Sequence, residues 1–124
     1  MAGFRTYAVA SGASGFLAVA IGAFGAHGIA DAHAKALIET GAHYQAVQTL
    51  AAVAALAFWR WGAPRARFAP PLFLMGAILF SGSLYALALG APAWTGAITP
   101  LGGLLFLAGW ATLAWAGLQL RQPA

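Results

Sequence analysis

Residues 22–48 read GAFGAHGIADAHAKALIETGAHYQAVQ, and they hold all three histidines, both carboxylates and the single lysine of a 124-residue chain. On either side the chain is almost free of formal charge. Thr6–Ala26 is an uncharged run of 21 residues, and Thr40–Trp59 is one of 20. At about 1.5 Å rise per residue the first run reaches about 31 Å, enough to cross a hydrocarbon core of about 30 Å. The polar stretch therefore reads as a boundary between two membrane spans. Within it, Asp31 is placed to cap a short helix, with Lys35 and Glu39 four residues apart on one face. This predicts an interfacial segment over about residues 30–39.

The composition agrees with lipid as the solvent. Only 6% of residues are charged and 62% are apolar, with a mean hydropathy of +0.81. Eight formal charges cannot cover the surface of a soluble domain of this size. The first uncharged run also exceeds the usual ~7–15-residue core of a secretory signal, and its basic flank is a single arginine, so it reads as a retained span. With no cysteine in the chain, disulfides, thiolate metal sites and cysteine nucleophiles are excluded. The pI near 10.4 does not imply a nucleic-acid partner, because the six basic residues form no stripe or patch.

Further along, Phe68–Leu120 carries no formal charge over 53 residues. One helix of that length would be about 80 Å long, too long for one crossing. The turn residues of Gly90–Gly96 (GAPAWTG) supply the break. The expected architecture is an all-α membrane protein, a four-transmembrane-helix bundle forming one domain. Its helices cover about 6–27, 41–60, 71–89 and 98–119, with the short interfacial helix between the first two. Four spans gather Arg5, Arg60, Arg65, Arg67 and Arg121 on one side and leave only Lys35 on the other. By the positive-inside rule both termini are then cytoplasmic. Arginine outnumbering lysine, with heavy alanine and glycine use, points to a GC-rich bacterial genome, and the expected location is a bacterial inner membrane.

Helices in lipid lack a hydrophobic drive toward one another and associate through close contact of small residues. Gly15, Gly22, Gly25, Gly82, Gly102 and Gly109 are the expected packing positions. Reading Gly22, Gly25 and Gly28 as a phosphate loop fails, since such a loop follows a soluble strand and opens a helix. Placed by depth, the strong hydrogen-bonding side chains gather in the outer half: His27, His43, Tyr44, Gln45, Gln48, Ser81, Ser83, Tyr85 and Thr99. Polar groups in a bilayer are costly when unpaired, so they should face the interior and bond one another. Gln45 and Gln48 share a helix face that is expected to meet Ser81, Ser83 and Tyr85. The cluster reads either as polar glue or as a binding site. His27 and His43, with His33 or Glu39, match no standard ligand spacing, so no metal or cofactor is expected. No nucleophile–base pair stands at a recognisable spacing either, so no catalytic residue is expected.

Four separated motifs carry a resemblance: GAFGAHG (residues 22–28), the spaced Thr40, Gly41, Tyr44, Gln45, Thr49, Leu50 and Ala51, LFSGSLYALAL (residues 79–89) and TPLGGLLFLAGW (residues 99–110). In this order they resemble the DUF423 family of small membrane proteins. The resemblance covers almost the whole chain and implies four helices and membrane residence, with no established activity. It also leaves His27, Tyr44 and Gln45 as shared candidates. The family pattern has a histidine before the TLA where this chain carries Gln48, which weakens any metal reading further. Beyond the lipid bilayer, the expected partners are a larger membrane complex or a second copy of the chain. The function expected first is that of an accessory, assembly or stabilising subunit. The alternative is a binder or transporter of a lipid, quinone or small solute.

Overall fold

The computed structural model describes residues 2–123, and among these there is no β-strand. The described residues form four long helices: α1 (Phe4–Gly28), α2 (Ala32–Arg60), α3 (Ala69–Ala88) and α4 (Thr99–Gly117). Short 3-10 helices, Pro64–Phe68 and Ala93–Ala97, shape the two later connections. Among the described residues three stretches are long and apolar enough to cross a membrane: Phe4–Gly28, Pro64–Ala88 and Ala93–Gly117.

The first departure from expectation lies in α2. The interfacial segment is not a separate helix, because α2 runs unbroken for 29 residues. Its start is set as expected by Asp31, whose carboxylate accepts the Ala34 N–H at 2.8 Å. Without that acceptor an N-terminal amide of the helix loses its partner, which costs about 1 kcal/mol. Asp31→Ala should therefore speed amide exchange in the first turn of α2 about fivefold, while the helix beyond Gly41 keeps its protection. Gly41 looks like a helix breaker but does not break α2. A Cβ there would come within 2.6 Å of the Tyr85 ring, so the glycine serves helix contact and leaves the backbone ladder intact.

The helices are laid out with α2 and α3 in the middle, α1 against α2 and α4 against α3. Accordingly α2 buries eleven residues, from Ile38 through Trp59. By contrast α1 buries only Ser11, Ala18 and Gly25, one every seven residues. That period of seven is the narrow seam of two nearly antiparallel helices. The seam is tight at Gly25, where a Cβ would fall 2.5 Å from Ile38 Cγ2. It loosens inward, with Gly22 facing Ala42 at 3.5 Å and Gly15 facing Thr49 at 3.8 Å.

The α3–α4 seam is closer still. The Phe106 ring fills the notch at Gly76 and the Phe73 ring fills the notch at Gly109. At Gly102 the two backbones touch, with Gly76 O 2.8 Å from where a Cβ would stand. Gly76 is a packing position that the sequence reading overlooked. Gly82, expected at a seam, is not in one, since a Cβ there would meet nothing within 4 Å. It faces the gap between α1 and α3.

One end of the bundle is sealed by apolar packing. Ala51, Ala52, Ala55, Ala69, Phe73 and Leu113 form one cluster. Leu56, Trp59, Ala63, Ala66 and Ala116 form the next, backed by Phe4 and Tyr7. Beyond it the Arg65 guanidinium lies 4.4 Å over the Trp115 ring, and the Arg65 N–H donates to Gln119 Oε1 at 2.9 Å.

Candidate functional site

Gln45 is the centre of the polar network. It sits midway along α2 and is buried, 7% exposed. Its Nε2 donates to the Ser14 carbonyl at 2.9 Å and approaches Ser14 Oγ at 3.3 Å. Its Oε1 accepts the Tyr85 hydroxyl at 2.7 Å. Ser14 Oγ also shares a hydrogen bond of 2.8 Å with Thr49 Oγ1. One amide thus ties α1, α2 and α3 together, with every member partnered, as a dry interior requires.

The other polar residues divide among separate bonds. Gln48 bonds α4, its Oε1 accepting the Trp110 indole N–H at 2.8 Å. Ser81 donates to the Gly41 carbonyl at 2.7 Å. Ser83 bonds Thr99 Oγ1 and donates to the Phe80 carbonyl at 2.8 Å. Of Ser81, Ser83 and Tyr85, only Tyr85 bonds one of these two amides directly, while Ser81 reaches the same face at Gly41.

The histidines stand apart from this network. His27 and His43 are exposed, and His43 lies edge-on to Tyr44 at 5.7 Å. Tyr44 turns outward to an aromatic group with Phe80 and Phe106, at 4.8 and 6.5 Å. His43 points away because, two residues before Gln45, it lies about 200° round α2 from it. Among the described residues no three His, Asp or Glu side chains converge as a metal site would need.

A groove of about 460 Å³ opens between α1 and α3, with the Gln45 network on its floor. Ala13, Leu17 and Ile21 line one side, Ala77, Ile78 and Gly82 the other. The groove exists because α1 packs on α2 and scarcely on α3, and because Gly82 offers no side chain to fill it. Of the residues expected in the polar cluster, only Gln45 and Tyr85 line it. Ser14, Thr49 and Trp110 were missed. The signal for Ser14 was present in the sequence, since it lies one turn beyond Ser11 on a helix otherwise built of small and apolar residues.

The profile of the family described as "Protein of unknown function (DUF423)" matches residues 21–103. The chain belongs to the DUF423 family. It is 43% identical over 112 residues to a UPF0382 membrane protein of Haemophilus influenzae, covering 88% of this chain and 90% of that protein. It is 41% identical over 113 residues to the UPF0382 inner membrane protein YgdD of Escherichia coli K12, covering 88% and 86%. A fungal UPF0382 membrane protein, from Schizosaccharomyces pombe, is 35% identical over 109 residues, covering 81% and 91%. No solved structure matches. In this DUF423 chain the matched span contains Gln45, Ser81 and Tyr85 and stops short of Ser14 and Trp110. Its relatives are named as membrane or inner membrane proteins, and the family description carries no activity.

Proposed function

We propose that this DUF423 protein is a four-span inner-membrane protein that holds a membrane amphiphile in the α1–α3 groove, without catalysis and without a cofactor. The fourth span is α2, whose uncharged run Thr40–Trp59 lies at the centre of the bundle. The antiparallel helices gather Arg5, Arg60, Arg65, Arg67 and Arg121 at one end, which supports cytoplasmic termini.

The observation that carries the binding reading is a hydrogen-bonded polar floor under an apolar, lipid-facing groove. Ligand sites are mostly apolar with a few convergent polar groups, and this groove has that composition. It favours binding over transport. Past the floor the bundle is closed by Ala52, Ala55, Ala69 and Phe73, all fully buried, so a solute would meet no polar path. Transporters, besides, place broken helices at mid-membrane, and all four helices here are continuous there.

Gly82→Leu tests the proposal, because leucine would enter the groove with nothing to clash against. Extraction in detergent-free polymer discs followed by mass analysis should find an amphiphile retained at about one per protein in the wild type. In Gly82→Leu that retention should fall at least about tenfold. Equal retention in both proteins, or none in either, would overturn the groove reading.

The accessory-subunit reading keeps one observation of its own. Helix α1 is largely uncovered, with Phe16 76% and Val19 73% exposed, a face open to a partner helix or a second copy. Stoichiometric co-purification of another membrane protein would favour that role.

A further inference from the structure

We infer that the α1–α3 groove selects amphiphiles that carry a hydroxyl donor over those that carry only acceptors. The inference rests on the groove being a binding site and goes on to name the chemistry it takes.

The argument starts from the Ser14 carbonyl, which can only accept. Facing it at 2.9 Å, the Gln45 amide must turn its Nε2 inward, since the opposite orientation would set two acceptors against each other. The second Nε2 hydrogen is directed at Ser14 Oγ. This fixes Oε1 toward α3, where it is met by the Tyr85 hydroxyl at 2.7 Å. Two acceptors cannot share that contact, so the Tyr85 proton is committed to Gln45. A phenol has one proton and two lone pairs. What Tyr85 still has to offer is therefore a lone pair, and Gln45 Oε1 has a second one.

Ser14 does not alter this balance. Its Oγ accepts from Gln45 Nε2 and shares one hydrogen bond with Thr49 Oγ1 across the α1–α2 seam, in which either hydroxyl can donate. Where Gln45 Oε1 meets Tyr85, the polar floor thus presents acceptors and no free donor. A ligand carbonyl or ether placed there would take the Tyr85 proton only by leaving Gln45 Oε1 without it, inside a site 93% shielded at Gln45. A ligand hydroxyl donates to the waiting lone pairs and breaks nothing. The walls, from Leu17 and Ile21 on α1 to Leu74 and Ile78 on α3, accept an apolar chain. The ligand class is an apolar chain or ring ending in a hydroxyl, whether a free phenol or long-chain alcohol or the free hydroxyl of a diacylglycerol.

A matched pair of probes separates the donor from the shape: a long-chain alkylphenol and its methyl ether, titrated into the purified full-length protein and read by native mass spectrometry. The phenol should bind about tenfold more tightly, the factor one well-formed hydrogen bond supplies. Gln45→Leu, which frees the Tyr85 proton to meet an ether, should reduce that preference to less than about threefold, while Thr112→Ala, on α4 and outside the groove, should keep it. Diacylglycerol is the third probe. Binding with the same Gln45 dependence assigns the hydroxyl to a glycerolipid; binding of the alkylphenol alone assigns it to a single-chain or phenolic amphiphile. Equal affinity for phenol and ether overturns the donor inference and leaves the groove reading standing. Failure of both probes to bind a wild type that retains its own amphiphile overturns it as well.

Discussion

Gly102→Ala is expected to destabilise the protein by about 3 kcal/mol, the upper part of the range for overpacking a tight contact. Its Cβ would stand against the Phe80 backbone nitrogen, 2.7 Å from Phe80 Cβ and 2.8 Å from the Gly76 carbonyl. A flexible side chain can turn away from such an intrusion. Two helix backbones cannot, so α3 and α4 must separate and loosen the Phe106 and Phe73 rings seated at Gly76 and Gly109. Gly103 supplies the control one residue away, where a Cβ would have only Phe80 Cδ2 at 4.0 Å. Gly103→Ala should be neutral or slightly stabilising, through the better helix propensity of alanine. Reversible unfolding in mixed micelles measures both. Equal stabilities of the two variants would mean that the seam is not held by backbone contact.

The second large effect concerns the network around Gln45. Gln45→Leu keeps the volume roughly and removes the acceptor of the Tyr85 hydroxyl and the donor to Ser14. Buried hydrogen bonds in membrane proteins are worth less than their isolation suggests, because the reference state in lipid also finds partners. The expected cost is about 2 kcal/mol, since two bonds are lost and one hydroxyl is stranded. Tyr85→Phe alone should cost about 1 kcal/mol. Added to Gln45→Leu it should cost almost nothing further, because the stranded hydroxyl goes with it. Fully additive losses in the double variant would show that the two side chains do not share a bond.

Asp31 shows how directly local chemistry can be read. An acceptor three residues before the Ala34 amide caps a helix whatever surrounds it, and α2 begins there. The glycines show the opposite. Gly82 and Gly102 look alike in an apolar helix, yet one faces an open groove and the other a neighbouring backbone. The difference lies in which way each helix is turned, and uniformly apolar helices carry almost no pattern that reveals it. The continuity of α2 was hidden for a related reason. Gly41 is a poor helix former by itself, and only the Tyr85 ring beside it explains its place.

The candidate site was legible in its members and illegible in its pairings. The burial of Gln45 and the half-burial of Tyr85 follow from the cost of polar groups in lipid, and both lie on the groove floor. That Gln48 turns to Trp110, and that His27 and His43 face outward, depends on helix rotation and the order of packing.

By itself, then, the sequence determined the solvent, the helical class and the family, because each rests on composition, uncharged run length and motif order. The tertiary structure alone decided which glycines touch, which amides pair and where α1 parts from α3. Those depend on contacts between residues tens of positions apart, and a chain apolar on nearly every helix face leaves such contacts unwritten until the helices pack.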